Sequence, residues 1–232
     1  MELLTRSNPK TEKGLALGWE TMILHLAPHT SAGIRSRSGE LINVCPNAGN
    51  CVAPCLNYSG HGGIGNPETN TVQRARRART RLYFEDRPAF LDQLASEISR
   101  AEKRASKAGK RLAIRPNGTS DLPALGAWVA EQFPHLQVYD YTKIPRAWKR
   151  VRENYSLTFS WEGSNWRQCR NALTHGVNVA VPFLGEIPET FRGFPVADGD
   201  KTDLRFLDPA GHIIGLTAKG PAKRDFSGFV VR

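Results

Sequence analysis

Between residues 111 and 197 the chain changes period repeatedly, and this constrains its fold more than any other feature. Short apolar runs at 111–115, 136–141, 155–159, 177–181 and 194–197 read as strands. Helical patterns separate most of them: about 125–133, 146–153, and a third capped by Ser164 and ending near His175-Gly176. An earlier run at 20–28 supplies another strand, so six strands are expected in the alternating part. Strands joined through helices lie parallel, because a parallel pair needs a crossover connection. The expected class is α/β, as a partial (β/α)6 TIM-like barrel of parallel strands. The end of the chain reads differently. Residues 204–207, the Asp208-Pro-Ala-Gly211 turn and residues 212–217 predict a β-hairpin within a C-terminal extension, 204–232. The first eighteen residues, with Asn8-Pro9 and Gly14, read as irregular.

Two helices precede the second strand. Residues 71–84 carry Arg74, Arg76, Arg77, Arg79 and Arg81 over a modest apolar stripe. Asp86 then caps a longer helix whose Leu91, Leu94, Ile98, Ala101 and Ala105 share one face, with Gly109 as terminator. A hydrophobic content of 40% supports one globular domain over 1–232. No apolar run is long enough to span a membrane, and the N-terminus lacks an apolar signal core, so a cytoplasmic place is expected.

Residues 29–70 form a long Gly-rich loop. Loops of this length are functional or disordered unless something organises them. Three of the four cysteines sit here, as Cys45-x5-Cys51-x3-Cys55. In a reducing compartment, clustered loop cysteines read as ligands of soft metals or iron–sulfur clusters. Three thiolates on a [4Fe–4S] cluster would leave one iron open to a substrate or to S-adenosylmethionine. The alternative is a Zn2+ site completed by His61. Cys169 lies on an apolar helical stripe with Trp166 and Leu173 and reads as core.

In parallel α/β folds, function gathers at the carboxyl ends of the strands. Those ends are polar here: Asn117, Ser120 and Asp121; Asp140 and Lys143; Ser160 and Glu162; Asp198 and Asp200. The net charge of +10 favours a polyanionic partner, either nucleic acid or a nucleotide. The five arginines of 74–81 are the candidate phosphate contacts. A solvated basic face is the alternative, since aromatic side chains do not interleave them.

Several stretches together resemble the phage and prophage family called gene product 88: the Cys-Pro-Asn-Ala-Gly-Asn-Cys run with Cys55-Leu-Asn, the arginine stretch from Gln73 to Asp86, Asn117-Gly-Thr-Ser-Asp121, Tyr139-Asp-Tyr-Thr-Lys143 and Asp198-Gly-Asp200. A more distant likeness is to radical S-adenosylmethionine enzymes, which place a cysteine triplet after the first strand and a small polar motif after the second. That likeness implies Cys45, Cys51 and Cys55 as cluster ligands and an external reductant. It also implies Asn117, Ser120, Asp121 and Ser160 near the cofactor, and Asp140, Lys143, Asp198 and Asp200 lining the substrate region as catalytic candidates. The chain departs from that superfamily's C-x3-C-x2-C spacing. It has Pro54 before the last cysteine and Gly-Thr-Ser-Asp in place of Gly-Gly-Glu.

Overall fold

The computed structural model describes residues 1–6 and 9–232, and for residues 9–11 and 150 the backbone alone. Asn8, part of the Asn8-Pro9 signal, lies outside the described residues. The fold is mixed α/β, built on one nine-stranded and mostly parallel sheet. The strands are β1 (Leu4–Thr5), β2 (Trp19–Leu24), β3 (Arg111–Arg115), β4 (Gln137–Thr142), β5 (Tyr155–Ser160), β6 (Val179–Phe183), β7 (Thr190–Phe191), β8 (Phe194–Asp198) and β9 (Ile213–Thr217). Their order across the sheet is β1-β2-β3-β4-β5-β6-β9-β8-β7. Strands β2 to β6, then β9 and β8, run parallel, and the two-residue strands β1 and β7 pair antiparallel at the edges. No pairing among the described residues joins the two edges, so the structure shows an open sheet and no closed barrel.

The helices are α1 (Pro9–Leu15), α2 (Thr71–Glu85), α3 (Arg87–Lys107), α4 (Pro123–Gln132) and α5 (Trp166–Thr174). The sheet advances in chain order from β2 to β6, and right-handed crossovers then set α3, α4 and α5 on one face. The main core confirms this packing. Phe90, Leu94, Ile98 and Ala101 of α3 and Leu125, Val129 and Ala130 of α4 pack on Met22, Leu24, Leu112, Ile114 and Val138. Asp86 ends α2 and starts α3, accepting a hydrogen bond from the Ala89 N–H at 3.1 Å. Cys169 is fully buried in a second cluster with Phe159, Leu173 and Val181, as its stripe indicates.

The opposite face carries the alternate residues and is more polar. Arg115 Nη1 pairs with Asp203 Oδ2 at 2.9 Å, and the Tyr139 hydroxyl donates to the same oxygen at 3.2 Å. Residues 203–208 cover this face, with Leu204 and Phe206 packed on Trp19 and Tyr139.

Four sequence expectations need correction. First, the C-terminal β-hairpin is absent. Residues 205–207 form a 3-10 turn, and β9 inserts between β6 and β8, parallel to both. Ile213, Ile214 and Gly215 are buried, the mark of a strand covered on both faces. The tight hairpin is instead β7–β8, turned by Arg192 and Gly193 with φ of 51° and 83°. Both are left-handed, which suits a two-residue turn matched to strand twist. Second, the helix at 146–153 is reduced to a 3-10 turn, Ala147–Arg150. Arg146 before it is left-handed, with φ of 63°. Third, the first eighteen residues hold β1 and α1. Fourth, Asn165 stands at the N-cap of α5, and Ser164 donates to Glu162 instead.

Candidate active site at the strand ends

Parallel strands deliver their carboxyl ends to one side, so the segments after β2, β3, β4 and β5 meet there. The turn after β3 is fixed first. Asn117 donates its backbone N–H to Asp140 Oδ1 and its Nδ2 to Asp140 Oδ2, both at 2.8 Å. The Tyr155 hydroxyl donates to Asp140 Oδ2 at 3.0 Å. Gly126 on α4 makes room for this, because a Cβ there would collide with the Tyr155 hydroxyl. Asn117 Oδ1 in turn accepts from Ser120 Oγ at 2.8 Å and from the Leu122 N–H at 3.0 Å. Asp140 is only 1% exposed. Burial pushes its carboxyl up to about 7, against the donors from Asn117 and Tyr155. Asn117, Ser120 and Asp140 therefore form one sealed network that shapes the turn.

That turn clamps the cysteine loop. The Asp121 N–H donates to the Val44 carbonyl at 2.8 Å, and Thr119 Oγ1 donates to the Leu26 carbonyl at 2.5 Å. Asp121 Oδ2 accepts from the Lys143 N–H at 2.7 Å, and Asn47 Nδ2 donates to the Lys143 carbonyl at 3.1 Å. Glu162, just past β5, accepts from the Asn50 N–H at 3.2 Å. On the other side Arg76 reaches in from α2. Its Nη1 donates to Asn57 Oδ1 at 2.5 Å and to the Asn57 carbonyl at 3.0 Å, while Gln73 Nε2 holds the carbonyls of Asn57 and Gly62. The loop has little regular structure beyond 3-10 turns, and these side chains replace it.

The thiols of Cys45, Cys51 and Cys55 are free and half-buried. Two receive backbone N–H groups: His29 to Cys45 at 3.4 Å and Asn57 to Cys55 at 3.5 Å. Burial pushes Cys45 up to about 11, and burial with the neighbouring Cys51 raises Cys55. Lys143 lies near Cys51, whose own thiol donates to the Ala48 carbonyl at 2.6 Å. Burial works against the lysine's charge, but Cys51, Asp121 and Cys45 outweigh that and raise its pKa, so the amine stays an ammonium. The three sulfurs are thus each near the Lys143 ammonium, and the Cys45 thiol also donates to the Thr119 carbonyl at 3.7 Å.

Among the described residues, no three His, Cys, Asp or Glu side chains converge so as to hold one metal ion. His61 is exposed on the 60–63 turn, where its carbonyl accepts from Asn70 Nδ2 at 2.8 Å. A single Zn2+ needs its ligands around one point, whereas a cubane cluster takes each thiolate on a separate iron. Three thiols, two of them receiving backbone N–H groups, with an ammonium nearby are a donor set compatible with an anionic iron–sulfur cluster.

The remaining candidates separate. Ser160 is buried at the end of β5, with its carbonyl accepting from Asn165 Nδ2 at 3.0 Å. Asp198 and Asp200 lie at the end of β8, four strand positions beyond β4, in a groove of about 480 Å³ with Glu186, Glu189 and Thr217. They do not join Asp140 and Lys143 in one constellation. Of the five arginines, Arg76 serves Asn57, Arg77 pairs with Glu68 at 3.2 Å, and Arg79 donates to the Glu2 carbonyl at 2.9 Å. Arg74 and Arg81 are exposed.

Sequence reasoning missed Thr119, the Arg76–Asn57 tie, and the polar inner face of His25, Arg115, Asp203 and Arg205. Arg115 directly after the apolar run Leu112-Ala-Ile114, with Tyr139 and Tyr141 two residues apart on one side of the next strand, was a readable signal for that face.

Fold and site together define a mixed α/β protein with a cysteine loop pinned across the carboxyl ends of a parallel sheet. The family model described as Gene product 88 matches residues 2–232, so the chain belongs to that phage gene-product family. No curated protein and no solved structure matches it. No helix among the described residues is long and apolar enough to cross a membrane.

Proposed function

We propose that the cysteine loop holds a [4Fe–4S] cluster through Cys45, Cys51 and Cys55, and that the protein is a radical S-adenosylmethionine-type enzyme acting on an anionic substrate in the cytoplasm of the host cell. One observation carries this reading. Three free thiols, two of them receiving backbone N–H groups, each lie near the Lys143 ammonium at the carboxyl ends of parallel strands. The sheet's chain-order advance from β2 to β6 suits the partial-barrel form of that class.

Cys45, Cys51 and Cys55 would hold such a cluster, which when bound would supply the electron for reductive cleavage of S-adenosylmethionine. The chain's own part is to position and to shield. The Asn117–Asp140–Tyr155 network fixes the turn that bears Ser120 and Asp121. Asp121 holds Lys143 through its backbone, which leaves the ammonium beside the sulfurs. There it would offset the negative charge of the three thiolates once they ligate the cluster. Asp121 Oδ1 is buried with no hydrogen-bond partner in the structure, so it is the atom best placed to accept from a ligand amine or hydroxyl. The basic surface draws an anionic substrate toward the mouth.

Anaerobic reconstitution with iron and sulfide tests the reading. The expected result is a broad visible charge-transfer absorbance that is lost in Cys51→Ser, and release of 5′-deoxyadenosine on reduction with S-adenosylmethionine. Binding of one zinc, with no cluster formed, would count against it and favour a structural metal in a nucleic-acid-binding protein.

A further inference from the structure

Residues 218–232 leave β9 and cross the ends of β5 and β6 to reach the cysteine loop. The Val231 N–H donates to the Pro182 carbonyl at 2.9 Å, and the Val231 carbonyl accepts from the Leu184 N–H at 2.8 Å. Trp161 Nε1 donates to the Gly228 carbonyl at 3.2 Å, and Asn50 Nδ2, within the cysteine loop, donates to the Ser227 carbonyl at 2.9 Å. At the crest of this strap stands Phe226, 83% exposed.

Phe226 is not a loose side chain. Asp225 is buried beneath it and ties the turn. Its Oδ1 accepts from the Ser227 hydroxyl at 2.7 Å and its Oδ2 from the Val230 N–H at 3.0 Å. Arg232 donates to the Asp225 carbonyl at 2.8 Å, and its guanidinium lies 4.0 Å from the centroid of the Phe226 ring. One face of the ring is therefore backed by a cation while the side chain stays open to solvent. Lys223 and Arg224, both exposed, precede it. The only acid of 218–232 is Asp225, which is turned inward.

We infer that this strap is a contact surface for single-stranded nucleic acid, with Phe226 stacking one base and Lys223 and Arg224 contacting phosphates. An aromatic ring backed by arginine and flanked by cations is the arrangement that holds unpaired bases without reading their sequence. Asn50 ties the strap to the loop bearing the thiols, which puts the strand beside the mouth. The inference deepens the proposed function by naming its substrate class, and rests on it for the strand being a substrate; binding can be tested apart from it.

The test is fluorescence anisotropy of a labelled oligothymidylate of about 15 nucleotides with metal-free full-length protein. Phe226→Ala is expected to weaken binding by about tenfold or more, with an unchanged melting temperature. The Lys223→Ala/Arg224→Ala pair is expected to make the slope of log affinity against log salt shallower by about 1.4. A blunt-ended duplex should be insensitive to Phe226→Ala. Equal affinity of Phe226→Ala and the parent for the single strand would overturn the inference. So would displacement by polyglutamate as effective as by unlabelled strand, which would mark a surface for an acidic protein.

Discussion

The two halves of the sheet end in very different ways. Past β2 to β5, the polar side chains are tied to one another or to the cysteine loop, and the thiols are what they present. Past β8 and β9, the carboxylates form an open groove. Asp200 is held there by the Thr217 N–H at 2.8 Å and by Lys219 at 2.9 Å, while Asp198 and Glu189 stay exposed. Strand-end polarity alone does not mark an active site. What distinguishes the proposed site is a set of buried polar groups whose hydrogen bonds position other groups.

The sharpest way to break this contrast is to remove Asp140. Asp140→Ala would leave the Asn117 N–H, Asn117 Nδ2 and the Tyr155 hydroxyl without their acceptor, at a cost of about 3 kcal/mol or more in urea unfolding. Asp198→Ala, on the exposed side, should stay within about 0.5 kcal/mol. Equal effects of the two would erase the distinction.

His25 offers a pH test of the polar inner face. Burial first, and then Arg76 and Arg115, hold its pKa down at about 3, and its Nδ1 is buried with no hydrogen-bond partner. The folded state therefore binds fewer protons than the unfolded chain between about 3 and 6.5. Stability from this group is complete above about 6.5 and is lost as pH falls toward 3. His25→Gln should remove a loss of a few kcal/mol across that window, read as the difference between two pH–stability curves. Parallel curves would contradict the assignment.

Glu162 tests the clamp more gently. Glu162→Gln should cost about 1 kcal/mol and speed hydrogen exchange at the Asn50 amide, because a charge-assisted bond becomes a neutral one. The smallest effect is expected on the groove side. Lys219→Ala should change stability by less than about 0.5 kcal/mol, since the lysine is half exposed and the Thr217 N–H still holds Asp200.

Much of this architecture was legible in the sequence. The strands at 111–115 and 155–159, the second one residue longer in the structure, and the helices of the first crossover carry strong periods and clean punctuation. The cysteine loop and the core position of Cys169 were also readable from spacing. Strand β9 was not. Its Ile213-Ile-Gly-Leu run follows a turn signal, and only its burial on both faces separates a central strand from the second arm of a hairpin. The helix expected at 146–153 had adequate composition but lost to the left-handed Arg146. Strand ends alone group Asp140, Lys143, Asp198 and Asp200, because the sequence does not give the strand order. Inserting β9 between β6 and β8 carries the last two away from the first.

The central claim is that the three thiols hold a cluster. Iron and acid-labile sulfide per chain, measured in protein purified without oxygen, test it most directly. The expected result is about four of each, falling to near zero in Cys51→Ser while the fold is retained. One zinc per chain with no iron in the same preparation would contradict it.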